Sequence, residues 1–170
     1  MTKPKKLSNK SKPVKRLKDS TAREREYLTA EEVDRLITAA RRHEAFGLRN
    51  ATMIAFAYKH SLRATEVLDL QWEQVDFQTR TVSLKRARSG AESQNLELHL
   101  DDDELNALLE LREISHSLKK SSFVFVGPRG SLFVDSFELV VKKAGESAKI
   151  GFPVHSHMLR HAKGSSSKSD

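Results

Sequence analysis

The stretch "HSHMLRH", His155 to His161, packs three histidines and an arginine into seven residues. On a helix, His157 and Arg160 lie three apart and share a face. A guanidinium placed there can fork two hydrogen bonds onto phosphate oxygens. A neighbouring imidazole can donate a bond or carry a proton. His157 and His161 are four apart, the spacing of a two-histidine metal site. The chain has no H-E-x-x-H pattern, no cysteine and no acidic residue close to this stretch, so no metal is expected. Arg63, in "KHSLRATEVLDLQW", sits where one helix ends and the next begins. It suits either an ion pair with Glu66 or an anion ligand. Arg80, Lys85, Arg86 and Arg88 form a third basic group, on one strand of a hairpin and its turns. Such a ribbon can reach into a DNA groove; charge there also resists edge-to-edge pairing.

Regular elements must position these groups. In "YLTAEEVDRLITAARRH", Thr29 and Glu32 make a capping box, and Val33, Leu36, Ile37 and Ala40 follow at helical spacing. Leu28 can staple to Val33. "NATMIAFAYKH" is apolar on most faces and predicts a buried helix over about 50–60. A short helix follows from Ala64 to about Leu70. The period then changes to two: "RTVSLKR" and "SQNLELHL", joined through Gly90, predict an antiparallel hairpin over about 79–100. "DDDELNALLELREISHSL" predicts an amphipathic helix capped by Asp101 or Asp102. "SFVFV" (122–126) predicts a strand and "GPRG" a turn. Asp135 with Glu138 three residues on predicts a capped helix start, and Ser156 a cap for a last helix. The architecture expected from these patterns is mostly helical, with one small antiparallel sheet inserted mid-chain.

The 170 residues carry 30 Lys/Arg against 23 Asp/Glu, a net charge of +7. Residues 1–26 hold ten basic and three acidic side chains, so the whole excess sits there. That segment is nearly free of apolar residues and predicts a disordered basic arm. Such an arm suits either nucleic-acid binding by counterion release or simple solubilisation. No apolar run approaches the length of a membrane span, and no secretory signal is recognisable. The absence of cysteine removes disulfides and thiolate nucleophiles and fits a cytoplasmic protein.

The order of the motifs is more specific than any one of them. "SLRATEVLDLQWEQVDF", then the basic hairpin "TVSLKRARSG", then "HSHMLRHAKG" resemble the tyrosine recombinase (phage integrase) family, in its short fimbrial-switch-like branch. The resemblance covers roughly residues 27–164. It implies an α+β fold: a mainly helical integrase-type catalytic domain with a small antiparallel sheet, incomplete at the C-terminus. It divides the chain into a basic arm (1–26), the integrase-like domain (27–164) and a tail of non-family sequence (165–170). The family cuts one DNA strand with a tyrosine, without metal or small-molecule cofactor. Arg63 and Arg160 would clamp the phosphate, and His157 would bond one of its oxygens. The family's hairpin lysine falls on Arg88, with Lys85 three residues earlier as the other candidate for its role. The nucleophile expected after H-x-x-R has no counterpart here, since the only tyrosines are Tyr27 and Tyr58. The resemblance thus implies a truncated, nucleoid-associated member that binds double-stranded DNA and does not cleave alone. Other recombinase subunits are expected as partners, one of which could supply the tyrosine in trans; the alternative is a non-catalytic DNA-binding regulator. Truncation would leave apolar surface bare on the second helix and after Arg160.

Overall fold

The computed structural model describes residues 27–88, 91–118 and 121–165; side chains at 87–88, 91–92, 116–118 and 163–165 are outside that description. The expected basic arm and residues 166–170 of the expected tail also lie outside the described residues. Helix α1 spans Ala30–Arg41. Its capping box forms as the sequence predicts: Thr29 Oγ1 accepts the Glu32 N–H at 3.2 Å, and the Glu32 carboxylate accepts the Thr29 N–H at 2.9 Å. Leu28 and Val33 are both buried.

Helix α2 spans Gly47–Lys59 and starts three residues earlier than its apolar pattern suggests. Gly47 makes the early start possible, because a Cβ there would stand 2.0 Å from the Arg41 carbonyl oxygen. Arg49, in the first turn, donates to the Val126 carbonyl and the Asn50 side chain, both at 2.8 Å. Its guanidinium lies 4.2 Å over the Phe46 ring. Burial lowers the Arg49 pKa to about 10.

Helix α3 is a single short turn, Ala64–Leu68. A three-stranded antiparallel sheet follows, ordered β1 (Val75–Asp76), β2 (Thr81–Arg88) and β3 (Ala91–His99). The alternation seen in the sequence holds. Val82 pairs Leu98 and Leu84 pairs Leu96, and Val82, Leu84 and Leu98 are buried while Ser83 and Lys85 are exposed. β1 is an addition, too short for a period-two signal. It enters β2 through a turn in which the Asp76 carboxylate accepts the Gln78 and Thr79 N–H groups.

Helix α4 spans Asp102–Leu118. Its cap is Asp101, which accepts the Glu104 N–H at 2.9 Å while Glu104 accepts the Asp101 N–H at 3.1 Å. The other Glu104 oxygen lies 2.8 Å from Nε2 of His60, at the end of α2. The expected strand at 122–126 is not formed as such. Phe123 makes a single bridge to Gln71, the Val124 N–H donates to the Leu70 carbonyl, and only Val126 enters a ladder. The segment serves to bury Val124 and Phe125, not to extend a sheet. Val126–Gly127 (β4) and Gly130–Ser131 (β5) then form a minimal hairpin around the predicted turn.

Helix α5 spans Val134–Ser147 and α6 spans Ser156–Ser165. The capping pattern at Asp135 is not used. Phe133 is the N-cap, without a side-chain bond, because the Glu138 carboxylate is engaged at the start of α6. Among the described residues α2 carries no exposed large apolar side chain, against the bare surface expected there. Met53, Ile54 and Phe56 are fully buried because α1, α4 and α6 pack against α2. Among the described residues, exposed large apolar side chains fall on α4 (Leu109, Ile114), around α5 (Phe133, Val134, Leu139) and ahead of α1 (Tyr27). The whole is an α+β fold, mainly helical, with small antiparallel sheets. Among the described residues no helix is long and apolar enough to cross a membrane.

Gly145 decides how α5 meets the segment that leads into α6. A Cβ at this position would lie 2.7 Å from Val154 Cγ2. Gly145→Ala is therefore expected to destabilise the fold by about 1–3 kcal/mol through overpacking, read as a lower midpoint in urea denaturation.

Candidate nucleic-acid interface

After α2 the chain turns through Ser61, at φ 52°, and buries Leu62. It then exposes Arg63 as the residue that opens α3. The Arg63 N–H donates to Glu66 Oε2 at 2.8 Å. The local Arg63–Glu66 ion pair that the spacing allows is not the one formed. Glu66 instead takes the fork of Arg86 from β2, with Nε to Oε1 at 2.6 Å and an Nη to Oε2 at 2.9 Å. The reason is geometric: a guanidinium arriving broadside matches both carboxylate oxygens, while Arg63 offers its backbone from the helix start. Burial pushes the Glu66 carboxyl up, but the bonds from Arg86 and the Arg63 N–H, with the charges of both arginines, hold it below the usual carboxylate range.

The basic residues of the hairpin therefore divide. Lys85 is exposed and lines, together with Arg63, an open cleft of about 940 Å³ between α3 and the sheet. Gln71, Gln74 and Asn95 also face this space, as do Asp69, Glu73 and Glu97. Arg86 is committed to Glu66. Arg80 sits ahead of β2 and pairs with Asp102 at 2.7 Å, roughly 17 Å from Lys85 along an extended strand. Arg88 ends the ladder opposite Ala91, past a register shift, and its side chain lies outside the described residues.

On α6, Met158, Leu159 and Ala162 are buried, which turns His157 and His161 outward and leaves Arg160 half-buried. His155 and His157 stack with ring centroids 5.7 Å apart, and His161 meets His157 edge-on at 6.3 Å. Among the described residues no group of three His, Cys, Asp or Glu side chains could hold a metal ion. α6 has no acidic residue in its first turn. The carboxylate at this helix start comes from α5: Glu138 accepts the Ser156 N–H at 3.2 Å and the Ser156 hydroxyl.

The structure thus brings Arg63 and Lys85 to one cleft and His157 and Arg160 to adjacent turns of one helix. Both groups are anchored on α2, Arg63 through the chain leaving its C-terminal end and α6 by packing along it. Nonlocal pairings escape sequence reasoning, among them Arg86 with Glu66, Glu138 with Ser156, and His60 with Glu104. Each joins residues 18 or more positions apart, beyond any helical or capping rule. The only local signal is Glu66 at the third position after Arg63.

A mainly helical catalytic domain carrying a basic hairpin and an H-x-x-R helix is the integrase-type fold. Residues 26–166 match the phage integrase family, and the chain belongs to it. The type 1 fimbriae regulatory protein FimE of Escherichia coli K12 is 30% identical over 142 residues, covering 82% of this chain and 71% of FimE. FimB of the same strain is 27% identical over 145 residues, covering 84% of this chain and 70% of FimB. Among solved structures, XerA recombinase matches with a TM-score of 0.69 at 23% identity, over 85% of this chain and 52% of its own. XerH recombinase bound to its difH substrate matches with a TM-score of 0.66 at 19% identity, over 85% and 44%. The chain thus spans about half the length of these two recombinases.

Because the Glu66 carboxyl is held below its ordinary 4.5, the unfolded chain takes up more protons than the folded one between the two values. The stabilisation from the Glu66–Arg86 pair is complete above the unfolded value and is lost as pH falls through the folded one. Wild type is expected to lose more stability than Glu66→Gln between about pH 6 and about pH 3.5, measured by urea denaturation at both values.

Proposed function

We propose that this chain is a DNA-binding member of the site-specific recombination machinery that grips a backbone phosphate with Arg63, His157 and Arg160. Lys85 stands beside Arg63 as the lysine of the hairpin. The observation that carries this reading is the Glu66–Arg86 fork. It occupies the one carboxylate within local reach of Arg63. The Arg63 guanidinium then has no carboxylate within ion-pair distance among the described residues, and it lines the cleft as an available cation. His157, exposed, and Arg160, half-buried, supply an imidazole and a fork donor on one helix, the chemistry that stabilises a charged phosphoryl transition state.

Strand cleavage by this family's chemistry needs a tyrosine hydroxyl. Tyr58 is half-buried within α2, and Tyr27 precedes α1; neither stands on α6, which carries His157 and Arg160. We therefore assign DNA binding to these 170 residues and cleavage to a tyrosine outside them. DNA within the cytoplasm is the proposed partner. A second reading, a regulator held to DNA chiefly by the basic segment 1–26, draws on where the net charge lies.

Fluorescence anisotropy on a mixed-sequence duplex, across a salt series, separates the two. Arg63→Ala and Arg160→Ala are each expected to weaken binding about tenfold and to reduce the log–log salt slope by about 0.9. Binding that survives both changes but falls on deleting residues 1–26 would favour the regulator. On a nicked suicide duplex the chain alone is expected to give no covalent adduct on a denaturing gel. An adduct lost in Tyr27→Phe or Tyr58→Phe would overturn the assignment of cleavage elsewhere.

A further inference from the structure

The start of α6 is held in an unusual way. The first four N–H groups of a helix lack partners within the helix, and negative charge is favoured beside them. α6 carries no acidic residue in its own first turn. Glu138, from the first half of α5, supplies the charge across the helix–helix gap. Its two oxygens lie 3.3 and 3.2 Å from the Ser156 nitrogen. The Ser156 hydroxyl donates to Oε1, and His155 Nδ1 stands 3.8 Å from Oε2. Glu138 is half-buried and Ser156 is buried, so the contact is shielded on one side.

This contact fixes more than the helix start. A helix advances by a fixed angle per residue, so pinning Ser156 sets the direction in which His157 and Arg160 leave the axis. Behind them Met158 and Leu159 seat α6 on the core, and Glu138 adds a polar tether at its first residue.

 

We infer that Glu138 is a positioning residue: by tethering Ser156 it orients Arg160 and His157 toward the DNA phosphate. The inference rests on the reading of Arg160 as a phosphate ligand given above. The sign of the effect makes it distinctive. Removing a carboxylate from a DNA-binding protein should, by charge alone, tighten binding. Loss of the tether predicts the opposite.

The test is the same anisotropy salt series on the full chain, with thermal melts run in parallel. Glu138→Ala is expected to weaken binding about tenfold and to reduce the salt slope by about 0.9, as Arg160→Ala does. In the Arg160→Ala background, Glu138→Ala should change the slope no further, because the ligand it orients is gone. Glu138→Gln keeps an acceptor for the Ser156 hydroxyl and is expected to recover part of the loss. If Glu138→Ala fails to fold, Ser156→Ala, which removes one donor, should weaken binding about twofold to fivefold. A Glu138→Ala or Ser156→Ala protein that melts lower yet binds as tightly as wild type, while Arg160→Ala binds weakly, would overturn the positioning role alone. If Arg160→Ala itself binds like wild type, the phosphate-ligand reading fails, and the inference falls with it.

Discussion

The burial of α2 is the constraint on which the rest of the structure depends. Met53, Ile54 and Phe56 have no exposure to solvent, and Phe56 meets Phe125 edge-on at 6.3 Å. Burying one such side chain is worth about 1.5–3 kcal/mol, and α2 buries several at once, with α1, α4 and α6 each covering part of its surface. Under the phosphate-binding reading, function enters through the same packing. Arg63 emerges from the turn that ends α2, and α6 turns His157 outward and leaves Arg160 half-buried because its other face is spent on the core. His60, the residue that closes α2, meets Glu104 of α4 at 2.8 Å, so the turn leading to Arg63 is tied to the start of α4 as well.

Carboxylates set the placement of the cations in this fold. Arg63 and Arg86 approach the same end of α3, and like charges at short range repel. Glu66 resolves the conflict by taking the Arg86 fork on its side chain and the Arg63 N–H from the backbone. The pair is largely withdrawn from solvent, with 23% of the Arg86 and 12% of the Glu66 side chain exposed. Desolvation offsets much of the attraction in such a pair, so its value lies as much in fixing register as in stability. Here the register fixed is that of the hairpin against α3, which sets Lys85 relative to Arg63. Glu138 has the corresponding relation to α6.

Periodicity and capping made most of the elements legible. The Thr29–Glu32 box and the alternation around Val82 and Leu84 are local patterns, and each appears where the sequence puts it. The failures are of one kind. The Asp135–Glu138 spacing satisfies a capping rule, but Glu138 has a nonlocal partner in Ser156 that the rule does not see. The run at 122–126 has strand composition, but Val124 and Phe125 go to the core beside Leu70 and Trp72, and only Val126 joins a ladder. Arg80, Lys85 and Arg86 look alike as a basic cluster, yet Asp102 and Glu66 claim two of them. Side-chain type was readable at each position. The partner was not, because it comes from an element that only the tertiary fold brings near.

The composition of the cleft bears on how DNA could be held there. A groove that tracks a nucleic-acid backbone is basic along its length. This one is not, because Asp69, Glu73 and Glu97 line it together with Arg63 and Lys85. Those carboxylates oppose a phosphate anywhere except beside the two cations, so the cleft suits one localised phosphate better than a continuous strand. Under the phosphate-binding reading, the acidic wall narrows the positions a backbone can take, since a shift by one phosphate trades an attraction for a repulsion. Such discrimination depends on position and is separate from total charge. It is compatible with a net excess of +7 that lies wholly within residues 1–26, where a sequence-independent attraction to DNA would not disturb the local choice made at Arg63.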